Sequence, residues 1–485
     1  MGRLSAWPKT PARFCLLLFV GGLLYSGLFN TLNKSYLHVY SDARAYFLTG
    51  KNLAHGLGYT EGERNFWRDS VNRVCPLYIA SLAGLFYIMD SPGPWRGQNE
   101  VSLAETKIIL VYQTVLYALG AILAYLIARR IWEEATARWV GVLSLLIPDF
   151  VSYAGMVMSE PLGLALLLAA AWFLLAYLEK MDRPGLALAA FWFLGLTVLV
   201  RPNLLLPALL AAVYMALKGR LKTALLGAAL LVLILTPFTV RNLNKFGRPW
   251  FATSILSYNV MIGNAGSTGE MVMDEDEIDR RLGLSFKKST LAQVDDASRR
   301  ELWRLVKEEP GHLAAINVIK FFRFWSVFRT AANEWMNNNI WWKRAQLAVS
   351  SLTNSWLFIL GPIGLALPLA LPGASPRPRR AMLFYVGLVF VTTIPMYLNH
   401  RHRFILFPFL LMGAVALSRH LWLVWRPRLK AAGLKGLWAS LDAGQRRWLK
   451  GGLVWAGFVW GGSLFDGIMR FERFLNYVIG RNVYF

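Results

Sequence analysis

The chain has 485 residues, of which 56% are hydrophobic and 16% charged, with a formal net charge of +24. Apolar runs recur to its end, which excludes an ordinary soluble multidomain enzyme and describes a polytopic membrane protein with the bilayer as solvent. In that setting the positive charge does not point to nucleic acid, because Lys and Arg gather on the cytoplasmic loops of membrane proteins.

In chain order, Arg3, Lys9 and Arg13 precede the apolar segment 14–32. That segment is as long as a bilayer needs and longer than a signal-peptide core, so residues 1–32 are expected to be an uncleaved anchor. Residues 33–107 form a first outer segment. In it "DARAYFLTGKNLAHG" has apolar positions at helical spacing and ends in Gly, and "CPLYIASLAGLFYIM" is short for a span. The first predicts a short helix near the membrane and the second a re-entrant or interfacial helix. Spans at 108–128, 138–154, 161–178, 185–200, 202–217 and 223–240 fill the block 108–240. A second outer segment, 241–350, carries the turn-rich "GNAGSTGE" and an acidic-basic helix over 293–309 that breaks at "EEPGH". Spans at 351–371, 381–398, 403–423 and 451–467 complete the block 351–467, before a tail at 468–485.

These spans predict about eleven crossings from a cytoplasmic N-terminus. The inside loops then hold "ARRIWEEATAR", "EKMDRP", "KGRLK", "SPRPRR" and the basic stretch from Arg419 to Lys450, whereas the outward turn "YAGMVMSE" has no Lys or Arg. That alternation follows the positive-inside rule. Twenty Trp and eighteen Tyr suit two membrane interfaces. Cys15 and Cys75, one in the first span and one beyond it, are not expected to bridge.

Charge at span ends either pairs or does work. Arg201 in "LVRPN", Arg241 in "TVRNLNKFG", and Arg401 and Arg403 in "NHRHRF" fall on the outer side, with Arg64, Arg68 and Arg73 in the first outer segment. Taken singly, each is an interfacial anchor. Together they make a seat for a lipid phosphate, since the planar guanidinium fork matches phosphate oxygens. Two acids share that side, Asp42 in "SDARAY" and Glu160 in "MSEPLG". One carboxylate could take a proton from a hydroxyl while the other orients it or holds a cation. The competing account makes both acids helix-start residues favoured by the backbone dipole. His55, His312, His400 and His402 show no metalloprotease spacing, and the chain has no phosphate-binding loop, nucleophile elbow or dinucleotide fingerprint.

The ordered stretches "SDARAYFLTGKNLAHGLGY", "RVCPLYIASLAGLF", "MSEPLGLALLL", "LTVLVRPNLLLPALL", "TPFTVRNLNKFGRPWFATSILSYNVMIGNAGSTGEM" and "NHRHRFILFPFLLM" resemble the polytopic GT-C glycosyltransferases. The likeness is to the bacterial branch similar to protein O-mannosyltransferases and the lipid A aminoarabinose transferase, and it covers roughly residues 10–425. It implies an all-α bundle with interfacial helices, and sugar transfer from a polyprenyl-phosphate donor to a glycan, lipid or protein hydroxyl. The expected setting is the outer face of a bacterial inner membrane. By the same resemblance Asp42 is the base, Glu160 the second acid, and Arg73, Arg201, Arg241 and Arg403 hold the donor phosphate. Tyr46, His55, Asn242 and Asn264 would line the site. A divalent cation (Mg2+ or Mn2+) on Asp42 and Glu160 stays open. The chain departs from the family pattern in having Cys75 where a first proline is usual, and a single acid where some relatives have two. A lipid or sugar transporter and a non-catalytic scaffold are the alternatives.

Overall fold

The computed structural model describes residues 10–35, 41–60, 75–91, 93, 102–266, 275–285, 289–330, 340–366, 386–387 and 400–469. Every regular element among them is helical. Six of the helices are long and apolar enough to cross a membrane, or seven if a bent pair counts as one span, so the protein is a membrane protein. The six are Pro11–Leu32, Leu103–Ile131, Glu160–Glu179, Leu221–Phe246, Arg344–Ala366 and the first part of Arg401–Ser440, and the pair is Glu134–Leu146 with Pro148–Ala154, bent by 55°. About eleven had been expected. Pro184–Val198 and Pro202–Leu217 are helical but short, spanning roughly 22–24 Å at 1.5 Å per residue against about 30 Å of hydrocarbon. The expected span 451–467 lies inside helix Ala443–Met469, which glycines and tryptophans make less hydropathic. The expected span 381–398 lies almost entirely outside the described residues.

The helices are numbered in chain order. Helix α1 (Pro11–Leu32) starts on Thr10, whose hydroxyl accepts from Arg13 N, with Pro11 at a position where no N–H is needed. Helix α2 (Ser41–Ala54) is the interfacial helix expected from the sequence; it ends before Gly56, whose φ of +75° suits glycine. Helix α3 is Pro76–Ile88 and packs on α2. The bundle continues with α4 (Leu103–Ile131), α5 (Glu134–Leu146), α6 (Pro148–Ala154), α7 (Glu160–Lys180), α8 (Pro184–Val198), α9 (Leu205–Leu217) and α10 (Leu221–Phe246). Four shorter helices follow: α11 (Leu256–Ala265), α12 (Glu275–Leu282), α13 (Leu291–Glu308) and α14 (Pro310–Phe324). Thr290 and Gln293 form a capping box at the start of α13, and Pro310 forces the break at Glu309 that the sequence predicts. Helices α15 (Ile340–Ala366), α16 (His400–Arg403), α17 (Phe407–His420), α18 (Arg426–Ser440) and α19 (Ala443–Met469) complete the chain order.

Two apolar clusters result. The large one is the bundle core, and the small one joins α11, α12, α13 and Leu313 of α14. Helix α15 meets α17 backbone to backbone, because a Cβ on Gly364 would run into the Gly413 carbonyl and one on Gly413 into the Gly361 carbonyl. Such small-residue contacts substitute for a hydrophobic driving force between helices in lipid. That packing fixes the column on which residues 400–403 stand.

Candidate active site

Asp42 and Tyr46 are one turn apart on α2 and share a face of that helix. Arg401 Nη1 lies 2.9 Å from Asp42 Oδ2, with side chains 17% and 37% exposed. The second pair is better hidden: Arg201 Nη2 is 2.6 Å from Glu160 Oε1, with side chains 14% and 2% exposed. Pro202 pushes the residue before it out of helical backbone, which stops α8 and leaves Arg201 extended (φ −139°, ψ 88°). Pro161 opens α7 and puts Glu160 in its first turn, at the positive end of the helix dipole. The capping account and the pairing account of Glu160 therefore hold together.

Tyr46 joins the two pairs. Its hydroxyl is 3.2 Å from Ser159 Oγ, and Asp42, Glu160, Arg201 and Cys75 all act on it electrostatically. Arg401 in turn acts on Arg201. Residues 42, 46, 75, 160, 201 and 401, from five separate parts of the chain, thus form one cluster at one end of the bundle. Burial raises the Tyr46 hydroxyl well above its ordinary pKa and pushes the Cys75 thiol up to about 12, so Cys75 stays a neutral thiol.

A brace lies behind the cluster. Tyr78, whose ring meets Tyr46 edge-on at 5.0 Å, donates its hydroxyl to Gln113 Oε1 at 2.8 Å. Gln113 Nε2 donates to the carbonyls of Tyr153, at 3.1 Å, and Met156, and its Oε1 accepts from Met158 N at 3.3 Å. One amide inside α4 therefore holds the turn that leads into Glu160. On the other flank, Lys51 pairs with Glu105 at 3.0 Å and ties α2 to α4.

The remaining expected residues fall elsewhere. Arg403, expected on the phosphate, is buried and turned inward. Its Nη1 donates to Phe324 O at 2.6 Å and Ser326 O at 2.7 Å, its Nη2 donates to Arg329 O, and the guanidinium stacks 4.8 Å from the Phe358 ring. Its neighbour Arg401 meets Asp42 instead. Arg241 is half-buried among Tyr59, Phe238 and Phe246, with its Nη1 2.7 Å from Asn242 Oδ1. The Tyr59 turn is tied to α2 through Asn52 and Thr60, about 15 Å along the helix from Asp42 at 1.5 Å per residue. His55 lies beyond the end of α2, and its Nε2 is buried without a hydrogen-bond partner. Asn242 is buried and donates to Trp250 O at 2.7 Å. Asn264 serves α14, accepting on Oδ1 from Asn317 at 3.1 Å and from Lys320 at 2.8 Å. Arg64, Arg68 and Arg73 lie outside the described residues.

Gln113 escaped the sequence reading, and Arg401 was read only as one of the outer arginines, with no role of its own. Arg401 had a signal, being a cation in a short outer turn, but its spacing could not separate it from Arg403. Gln113 had one too, as a lone amide in an apolar span, where a polar group has to find a partner.

As a cation seat the site fits poorly. Each of the two carboxylates faces a guanidinium at bonding distance, and among the described residues no three His, Cys, Asp or Glu side chains form a ligand group. A carboxylate already neutralised by arginine is a weak donor to a hard cation.

No family model matches the chain, and no curated protein is similar to it in sequence. Solved structures are similar in fold. The Archaeoglobus fulgidus oligosaccharyltransferase in its apo form is 16% identical with a TM-score of 0.51, over 93% of this chain and 55% of that one. ArnT from Cupriavidus metallidurans bound to undecaprenyl phosphate is 14% identical with a TM-score of 0.37, over 83% of this chain and 78% of that one. Both are GT-C superfamily glycosyltransferases. The chain spans about half the length of the oligosaccharyltransferase, and what the two have in common is the all-helical GT-C-like fold.

Proposed function

We propose that the protein is a membrane glycosyltransferase that moves a sugar from a polyprenyl-phosphate donor to an acceptor hydroxyl. The reaction takes place at the outer face of a bacterial inner membrane, with the N-terminus in the cytoplasm. The observation that carries this reading is the meeting of Asp42–Arg401 and Glu160–Arg201 around Tyr46. A membrane chain brings two acids and two guanidiniums together at the end of its helices only at a cost, which a reaction between charged groups accounts for.

In this reading the cluster is neutral at rest, and an incoming phosphate monoanion or diester competes with the carboxylates for the arginines. Arg401 turns from Asp42 to a phosphate oxygen, and the freed carboxylate becomes the base. Asp42 takes the acceptor O–H proton as that oxygen bonds to the anomeric carbon. The carbon–oxygen bond to the phosphate breaks on the opposite face, and polyprenyl phosphate leaves with the bond pair. Fixed guanidiniums stabilise the growing phosphate charge, so no strong general acid is needed and the sugar inverts once. Glu160, with Oε2 buried and unpartnered, holds Arg201 in place and can orient the acceptor hydroxyl. Arg241, on α10 near the far end of α2, would meet a more distant part of the donor. The undecaprenyl phosphate in the ArnT structure and the dolichol phosphate in an archaeal oligosaccharyltransferase complex make a lipid phosphate the donor to try first.

The deciding experiment reconstitutes the full chain in vesicles with a radiolabelled polyprenyl-phosphate sugar pool and compares it with Asp42→Asn. Loss of transfer with donor binding kept is expected, and normal turnover by the variant overturns the assignment. A second reading, a lipid or sugar transporter, draws on the 55° break at Ile147, since transporters use broken helices. It predicts labelled lipid crossing the bilayer with no covalent product.

A further inference from the structure

Helices α16, α17 and α18 follow one another from residue 400, through a 3-10 turn and the π-helical stretch Leu421–Trp425, up to a break in the helical backbone at Gly433. At 1.5 Å per residue the run to that break is roughly 50 Å long, well beyond a bilayer's hydrocarbon thickness of about 30 Å. Residues 404–417 are buried in the bundle core. Past Leu421 the surface changes character. Arg426, Arg428, Lys430 and Lys435 are exposed, and so are Trp422, Leu423, Leu429, Leu434 and Trp438.

Between residues 419 and 450 there are eight Lys and Arg against one acid, Asp442. That acid is already used, since Asp442 Oδ1 accepts from Gln445 N at 2.7 Å to cap α19. Arg419 is used too, paired with Glu133 at 3.1 Å. Among the described residues no carboxylate lies within pairing distance of Arg426, Arg428, Lys430, Lys435, Arg447 or Lys450. Several cations sit on indole faces instead. Arg426 is 3.8 Å from the Trp422 centroid, and Arg446 and Lys450 are 6.0 and 5.9 Å from that of Trp438. Gly433, at φ +66°, breaks the helical backbone in mid-α18.

This mixture suits only one medium. Water would leave the Leu and Trp side chains exposed, and hydrocarbon would leave the cations unsolvated. The headgroup layer takes both, with tryptophan and the lysine and arginine stems in the acyl boundary and the charged ends at phosphate. We infer that residues 422–450 form a docking surface for anionic phospholipid headgroups. Charge complementarity sets the preference: unpaired cations in this number attract an anionic headgroup and gain nothing net from a zwitterionic one. The inference stands apart from the proposed sugar transfer, because it concerns a different stretch of the chain.

The test reconstitutes the full chain in equimolar phosphatidylglycerol and phosphatidylcholine, extracts it in mild detergent and measures the phospholipid that stays bound. Wild type should retain phosphatidylglycerol over phosphatidylcholine by about threefold or more. The variant Arg426→Gln/Arg428→Gln/Lys430→Gln/Lys435→Gln should bring that ratio near one. Its exposed positions leave thermal unfolding unchanged. The same number of changes at the exposed Arg280, Arg299, Arg300 and Lys307 should leave the ratio as in wild type. A wild-type ratio near one overturns the inference, as does an unchanged ratio in the quadruple variant. Heparin binding by the vesicle-embedded protein, lost in the quadruple variant and without phosphatidylglycerol enrichment, overturns it in favour of a soluble polyanion.

Discussion

Arg401 and Arg403 are two residues apart on one turn of helix, yet they belong to charge clusters of opposite design. Arg401 reaches Asp42 at 2.9 Å, where both side chains are still partly open to solvent. Arg403 gives both its terminal nitrogens to three carbonyls of the segment 324–329, and that segment is clamped in turn. Asp466 on α19 accepts from Arg323 Nε at 2.7 Å, Arg329 Nε at 2.9 Å and Arg329 Nη2 at 2.7 Å, and Ser463 Oγ accepts from Val327 N at 3.0 Å. A guanidinium held by many bonds in a dry interior fixes position. One that meets a carboxylate at a partly solvated surface can change partner when an anion arrives. The inner cluster is built as a mount, and under the proposed reaction the outer cluster is the part that moves.

The same substitution on either side should break that symmetry of charge in different ways. Asp42→Asn is expected to lower turnover by about 10³-fold, within the range for removing a general base, while unfolding in detergent shifts by less than about 1 kcal/mol. Asp466→Asn leaves two buried guanidiniums without their carboxylate, which should cost about 3–5 kcal/mol of stability. Denaturant titration followed by circular dichroism reads both. Equal stability loss in the two variants would erase the distinction between mount and moving part.

Much of this was legible in the sequence, for physical reasons. Long apolar runs report spans because hydrocarbon forbids anything else, and Asp42 and Glu160 stood out because charge near a membrane needs an explanation. The sequence also gives Pro310 as the break between α13 and α14 and Gly56 as the stop after α2. What it could not give is which way a side chain turns. "NHRHRF" presents two arginines with equal claims, and only the packing of α15 on α17 decides that one faces Asp42 and the other the interior. Nor could spacing place Asn242 and Asn264, whose amides bond to local backbone and to α14. The helices α8 and α9 read as spans because they have the hydropathy of one, and they fall short of the hydrocarbon only in length.

Lys320 tests the inner design from a third position. Its ammonium is buried, bonded at 2.8 Å to the neutral Asn264 Oδ1, and burial lowers its pKa from 10.5 to about 8. A lysine whose folded pKa lies below its unfolded one destabilises the fold wherever it must stay charged, so the penalty is complete below pH 8. Between pH 8 and 10.5 the unfolded chain binds more protons than the folded one, and stability rises with pH. Lys320→Met should therefore be more stable than wild type at pH 7, by at most about 3 kcal/mol, with the margin closing towards pH 10.5. Thermal unfolding across that range checks it, and a margin that does not depend on pH would remove burial as the cause.

The finest comparison replaces arginine by lysine on each side. Arg201 touches Glu160 through one nitrogen, and its Nε has no hydrogen-bond partner, so a lysine keeps the charge and the single contact. Arg201→Lys should weaken donor use by only about tenfold in KM, because an ammonium meets phosphate as a point charge and loses the fork. Arg403→Lys loses more than one of three carbonyl contacts at once, since an ammonium cannot span the geometry that two guanidinium nitrogens cover. It should show its loss in unfolding, with KM near that of wild type in whatever fraction remains folded. If Arg201→Lys instead unfolds the chain while Arg403→Lys raises KM, the assignment of the two clusters has to be exchanged. Donor binding would then belong to the inner arginine, and Asp42–Arg401 would be an anchor for α2.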